Sequence, residues 1–108
     1  MKAKLFMLVI VIVCTLDGNA SSRSQRARGA SIFNSSGCAH CHSISGIGGK
    51  KGPDLSGVGR RLNKAQMSKQ IDEGSKRMPP FGDDLQKKEL EDLIAYLRSC
   101  RNKKIPER

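Results

Sequence analysis

The chain has 108 residues, with 20 Lys and Arg against 10 Asp and Glu, a net charge of +10, no Trp and 4% aromatic residues. One domain is the prior at this length, and so few aromatics exclude a large self-sufficient hydrophobic core. The positive field favours acidic partners, but no basic stripe is interleaved with aromatics as in nucleic-acid binders, so nucleic acid is not expected; an acidic protein surface or an anionic membrane surface is.

Residues 1–20 read as a secretory signal. Lys2 and Lys4 precede the apolar run Leu5 to Val13, and Gly18 and Ala20 supply small residues at a cleavage site. The run is shorter than the roughly 20 residues of a membrane-spanning helix. Two alternatives stand beside cleavage: an uncleaved anchor, and lipid attachment at Cys14, which the bulky Val13 disfavours. Cleavage after Ala20 leaves 88 residues with a charge of +9, because Lys2, Lys4 and Asp17 go with the signal. A domain near ~70–80 residues usually needs a staple such as a disulfide, a metal or a cofactor. Only Phe33, Phe81 and Tyr96 remain as aromatics, so something other than side chains is expected at the centre.

Residues 21–28 are polar and basic and are expected to form a flexible lead-in, with the folded domain over 29–108. Ala30, Ile32 and Phe33 predict a short helix over 29–36, stopped by Gly37. Residues 43–59 contain six glycines and read as loop, of a kind that lets backbone lie close against a flat ligand. A helix is predicted over 62–73, with Asn63 at its start, Leu62, Met67 and Ile71 facing inward and Gly74 at its stop. Met78-Pro79-Pro80-Phe81 cannot be helix interior. Leu90, Leu93, Ile94 and Leu97 fall at i, i+3, i+4 and i+7 and mark the last helix. Asp83 and Asp84 before it, and Arg98, Arg101, Lys103 and Lys104 at its end, suit its dipole.

The chemistry is concentrated in Cys38-Ala39-His40-Cys41-His42. A disulfide between Cys38 and Cys41 would close a tiny loop and add little. A structural zinc site wants four ligands, and the chain beyond residue 20 offers only Cys100 in addition to Cys38, Cys41, His40 and His42. A thioredoxin-like dithiol expects a βαβ setting, for which no strand pattern is present. Cys-x-x-Cys-His is the recognised haem attachment signature: two thiols add to the two vinyl groups, and the adjacent histidine lies under the iron. A second axial ligand is then needed unless the iron stays open to gas. Met78 is the candidate, in a proline-stiffened loop where a core filler is out of place, whereas Met67 on its helical stripe reads as core. A thioether ligand raises the reduction potential.

In these motifs the sequence resembles the class I, monohaem c-type cytochromes over about Gly29 to Cys100. Gly29 and Phe33 resemble the first-helix pair that packs on the last helix. Gly52-Pro53-Asp54-Leu55 resembles the loop whose proline carbonyl receives the proximal histidine's ring proton. Met78-Pro79-Pro80-Phe81 with Asp92-Leu93-Ile94-Ala95-Tyr96-Leu97 resembles the distal loop and final helix. The resemblance implies an all-α fold of three to four short helices and loops around one haem c, bonded through Cys38 and Cys41. His42 would be the proximal ligand, Met78 the distal ligand, and Pro53 would orient His42. Arg60 or Arg61 is a candidate for a haem propionate, against a plain solvated basic loop. His40 is given no ligand role. Where the family often has Ser, Thr or Asp to cap the last helix, this chain has Gln86 and Lys87, which leaves that start uncertain.

The implied function is one-electron transfer outside the cytoplasm, in the periplasm or an equivalent space, by a monomer that is not an enzyme. Lys50, Lys51, Lys76 and Arg77 would help steer an acidic partner such as an oxidase subunit or a dehydrogenase. The alternatives are a haem-based gas binder or sensor, and a haem subunit of a larger oxidoreductase complex.

Overall fold

The structure, a computed structural model, describes residues 21–102. The signal or anchor expected over 1–20, Cys14, Lys103 and Lys104 lie outside these residues.

The first helix, α1, covers residues 21–35 of the described chain. The loose lead-in expected over 21–28 is therefore helical: Arg26 bonds back to Ser22 Oγ at 3.2 Å, and Arg28 faces the last helix. Gly37, at φ 82°, turns the chain out of α1 into a short 3-10 turn over Cys38–His40. A two-residue hairpin follows within the glycine-rich segment, β1 at Ser43–Ile44 and β2 at Ile47–Gly48, paired Ser43 with Gly48 and Ile44 with Ile47. Its turn residues Ser45 and Gly46 both have positive φ, 52° and 80°, the combination that matches the twist of a tight hairpin. The rest of that segment is loop, apart from one helical turn that the glycines concealed, α2 at Val58–Arg61.

α3 spans Lys64–Glu73 and bears out the predicted caps. Asn63 Oδ1 accepts from Gln66 N and Gln66 Oε1 accepts from Asn63 N, both at 2.8 Å, a reciprocal box that satisfies two orphan donors. Gly74 ends the helix at φ 67°. α4 spans Lys87–Ser99. The start that looked weakly capped is closed by Glu89, whose Oε1 accepts from Gln86 N at 3.1 Å.

The core consists of Phe33 from α1, Val58 from α2, Met67 and Ile71 from α3, and Leu93, Ile94, Leu97 and Cys100 from α4 and its end. The predicted stripes supply most of it, with Leu62 and Leu90 half-buried at its margin. Burial pushes the Cys100 thiol above its ordinary range, which makes it an inert core group. α1 crosses α4 where Gly29 meets it: a Cβ at 29 would collide with the Asp92 carbonyl and lie 2.6 Å from Tyr96 Cβ. Beside this crossing Phe33 and Tyr96 meet edge-on, with centroids 5.9 Å apart and planes at 62°. Here too Arg28 Nε donates to Asp92 Oδ2 at 3.1 Å; the carboxylate side is 5% exposed and the arginine 49%.

That pair gives a test of the crossing. Arg28→Ala leaves a buried carboxylate without its partner, and about 1–2 kcal/mol of stability should be lost once screening at the half-exposed arginine is discounted. Arg28→Lys should retain much of it; denaturant unfolding of both variants measures the difference.

Candidate functional site

The short turn after α1 explains the spacing of the thiols and the imidazole. The Cys38 carbonyl accepts from both Cys41 N at 3.2 Å and His42 N at 2.9 Å. One carbonyl thereby winds Cys38, Cys41 and His42 into a single tight coil. The glycine segment is laced to its rim: Gly49 N donates to Ala39 O at 2.8 Å and Gly52 N donates to Cys41 O at 2.7 Å. Cys38 and Cys41 are half-buried and free of disulfide, and burial pushes the Cys38 thiol up. His40 points outward and is exposed.

Next to this coil, Pro53 meets His42. The ring Nδ1 lies 2.8 Å from the Pro53 carbonyl oxygen. A carbonyl can only accept, so Nδ1 carries the proton and the lone pair is left on Nε2. Gly52 lies flat on the imidazole: a Cβ there would fall 2.7 Å from Cε1 and 2.9 Å from Nδ1 of His42. The loop that carries Pro53 is itself held: Asp54 Oδ1 accepts from the amide and the hydroxyl of Ser56, at 2.9 and 2.6 Å. The buried Ser56 hydroxyl in turn accepts from Ser45 N at 2.8 Å. Sequence reasoning singled out Pro53 but missed this Ser45–Ser56–Asp54 chain; its one visible signal was an Asp and a Ser two residues apart in a turn-rich segment.

Met78 comes from the other side of the chain, in the loop between α3 and α4. Gly74 makes the bend: its positive φ suits glycine alone, and a Cβ would strike the Met78 carbonyl. Ser75 N then donates to Met78 O at 2.8 Å, and Phe81 N to Ile71 O at 2.9 Å, so the loop folds back along the end of α3. Met78 is half-buried, and its Sδ lies 3.6 Å from Gln70 Nε2. Met67 is core, at 2% exposure. Cys38, Ala39, Leu55, Leu62, Met78, Phe81 and Leu85 are partly buried against the core, so the two loops share one apolar surface. Of the two arginines considered for a propionate, Arg61 Nη2 donates to Asp54 O at 3.0 Å and Arg60 is exposed. Both line a polar basin of about 490 Å³ together with Arg98 and Arg101.

This donor set suits haem c: two free thiols on one coil, an imidazole with its proton pinned away from Nε2, and a thioether from a separate loop. It does not suit zinc, since among the described residues no three His, Cys, Asp or Glu side chains gather as a metal site.

The comparisons agree with this chemistry. The family described as cytochrome c oxidase, cbb3-type, subunit III matches residues 24–97. Among solved structures, the c-type cytochrome SorU from Sinorhizobium meliloti superposes with a TM-score of 0.62 at 23% identity, covering 73% of this chain and 93% of that one; at that identity the likeness shows the fold. No curated protein matches. The chain belongs to the monohaem c-type cytochromes, within the family that matches residues 24–97. Members of this class use haem in electron transfer and typically work outside the cytoplasm. No helix among the described residues is long and apolar enough to cross a membrane.

Gly52→Ala should push the imidazole off the Pro53 carbonyl, at a cost of about 1–3 kcal/mol for overpacking. The protected ring N–H resonance of His42 in proton NMR should be lost or shifted with it; an unchanged resonance would mean the loop relaxes without disturbing the ring.

Proposed function

We propose that the protein is a one-electron carrier, exported by residues 1–20, whose single haem c is bonded through Cys38 and Cys41 and held by His42 and Met78. The observation that carries this reading is the His42–Pro53 hydrogen bond, formed on the same coil that presents the two thiols. The haem, when bound, supplies an iron that changes charge by one electron. The protein's part is to orient and enclose. Pro53 fixes the His42 tautomer and raises the basicity of the ring. Met78 would supply the second protein ligand to the iron and so limit access of small ligands. The half-buried apolar surface shared by the two loops would keep water from the group and lower the local dielectric.

Denaturing mass analysis of the protein matured with a haem-attachment system tests the core of the reading. A haem-sized increment that survives denaturation, and is abolished by Cys38→Ser with Cys41→Ser, is the expected outcome. Met78→Ala should remove the weak long-wavelength sulfur-to-iron band of the oxidised protein and open the reduced protein to carbon monoxide. Ready carbon monoxide binding by the unmutated protein would instead favour a gas binder or sensor.

Lys50, Lys51, Lys76 and Arg77 are all exposed and lie in or beside the two loops that carry the ligands, which supports an acidic redox protein as partner. The electron-transfer rate should fall several-fold as ionic strength rises from ~0.01 to ~0.15 M and the Debye length shrinks from ~30 to ~8 Å. The family's description as an oxidase subunit favours a second reading, a haem subunit within a larger oxidoreductase complex. Purification from native membranes separates the two: a free carrier elutes alone as a monomer, a subunit with its enzyme.

A further inference from the structure

α2 is pressed against the last turn of α4. Gly59 N donates to Cys100 O at 2.9 Å, and Arg101 Nη1 donates back to Gly59 O at 3.0 Å. A Cβ at Gly59 would strike the Arg98 carbonyl, and one at Gly57 would fall 2.6 Å from Asn102 O. The two glycines therefore let these helix ends close, which brings Arg60 and Arg61 beside Arg98 and Arg101. With Asn63 and Gln66 at the start of α3, the four arginines line the polar basin of about 490 Å³.

The lining is rich in donors. A guanidinium has five N–H donors and no acceptor. Arg61 uses one on Asp54 O at 3.0 Å and Arg101 uses one on Gly59 O; backbone carbonyls hold both side chains without neutralising them. Asn63 Oδ1 and Gln66 Oε1 already accept from each other's backbone N–H, so the amide NH2 groups are what these two side chains still offer. No acidic side chain lines the basin, and the nearby Asp54 has its Oδ1 engaged by the amide and hydroxyl of Ser56. Four like charges around one hollow repel each other. An anion there would remove that repulsion and accept the hydrogen bonds. The positive end of the α3 dipole adds to the attraction.

We infer that this basin is a binding site for a multiply charged phosphate-type oxyanion. Guanidinium forks match pairs of phosphate oxygens, and four of them suit two linked phosphates better than one. No aromatic side chain lines the basin, so nothing there stacks a nucleobase. Met78 lies beyond the opposite end of α3, whose ten residues measure about 15 Å.

The test titrates inorganic pyrophosphate into the haem-loaded protein at ~0.1 M salt, read by calorimetry and amide NMR. Binding should saturate at one per chain, with shifts centred on residues 59–66 and 98–101. Arg60 and Arg98 are exposed, so Arg60→Gln with Arg98→Gln should keep the fold and weaken binding about tenfold or more. Lys87→Gln with Lys88→Gln removes the same charge at the other end of α4 and should weaken it about twofold or less. Vesicles of phosphatidylcholine with phosphatidylglycerol identify the source of the phosphate. If pyrophosphate displaces the protein from them and only the arginine variant fails to bind, the basin takes a lipid headgroup; if the vesicles bind all three proteins alike or none, it takes a free phosphate compound. Equal weakening by the two double variants, or a titration that does not saturate, overturns the inference in favour of a generally basic surface. So does a lack of pyrophosphate binding, as when a haem propionate already occupies the arginines. Each of these results leaves the electron-carrier reading intact.

Discussion

The hydrogen bond between His42 Nδ1 and the Pro53 carbonyl, 2.8 Å long, is the interaction on which the proximal half of the molecule depends. An imidazole at the end of a short coil is free to rotate and to hold its mobile proton on either nitrogen. Binding Nδ1–H to a backbone carbonyl removes both freedoms and commits Nε2 to act as an acceptor or ligand. For that, the chain must travel eleven residues from His42 to Pro53 and return within hydrogen-bonding distance. The hairpin, the glycines packed against the coil, and the Asp54–Ser56–Ser45 bonds all serve this return. Their local chemistry is ordinary turn chemistry; together they fix one carbonyl oxygen.

The distal half is built on a different constraint. Helices α3 and α4 form a small core with α1, and their junction is a loop that cannot be helical because of its two prolines. Gly74 sets the direction of departure, and backbone bonds from Ser75, Phe81 and Gly82 tie the loop to α3 and to itself. Side-chain burial contributes less here, since Met78 and Phe81 are only half-buried. The crossing of α1 on α4 keeps the two halves in register. It combines a glycine contact, an edge-on aromatic pair and a partly buried ion pair.

Much of this was legible in the chain. The α3 caps were readable because Asn63 and Gly74 bracket a stripe of apolar residues, and α4 because four apolar residues fall on one helical face. The coil was readable because Cys-x-x-Cys-His has a chemical meaning at that spacing. The helical state of residues 21–28 was not legible: Ser and Arg without an apolar stripe look like loop, and only the tertiary contact of Arg28 with Asp92 shows what that turn packs against. α2 was hidden for a related reason, since Gly57 and Gly59 weigh against a helix that is held by Gly59 N donating to the Cys100 carbonyl. The cap of α4 was visible in principle, as Gln86 followed by Glu89, but a residue other than Ser, Thr or Asp at the first position masks the pattern. The donor to the Met78 sulfur could not be found from sequence. Gln70 and Met78 are eight residues apart, across a helix end and a reversed loop, and no periodicity links them.

Met67 and Met78 show how position assigns different roles to one chemistry. Both carry the same polarisable thioether. Met67 lies on a helical stripe with Ile71, so its sulfur is surrounded by carbon and acts as filler, the adaptable use of methionine in cores. Met78 lies four residues past a glycine with positive φ and just before two prolines, so its backbone is fixed by bonds to Ser75 and by ring geometry rather than by core packing. Its side chain packs only at the margin of the core, and its sulfur meets the Gln70 amide at 3.6 Å. A loop fixed in this way moves little. An electron carrier changes charge without binding or releasing substrate, so selection favours a site whose atoms move little between the two oxidation states. A loop whose backbone is determined by glycine, proline and helix-end hydrogen bonds meets that demand in a domain too small to rely on its core.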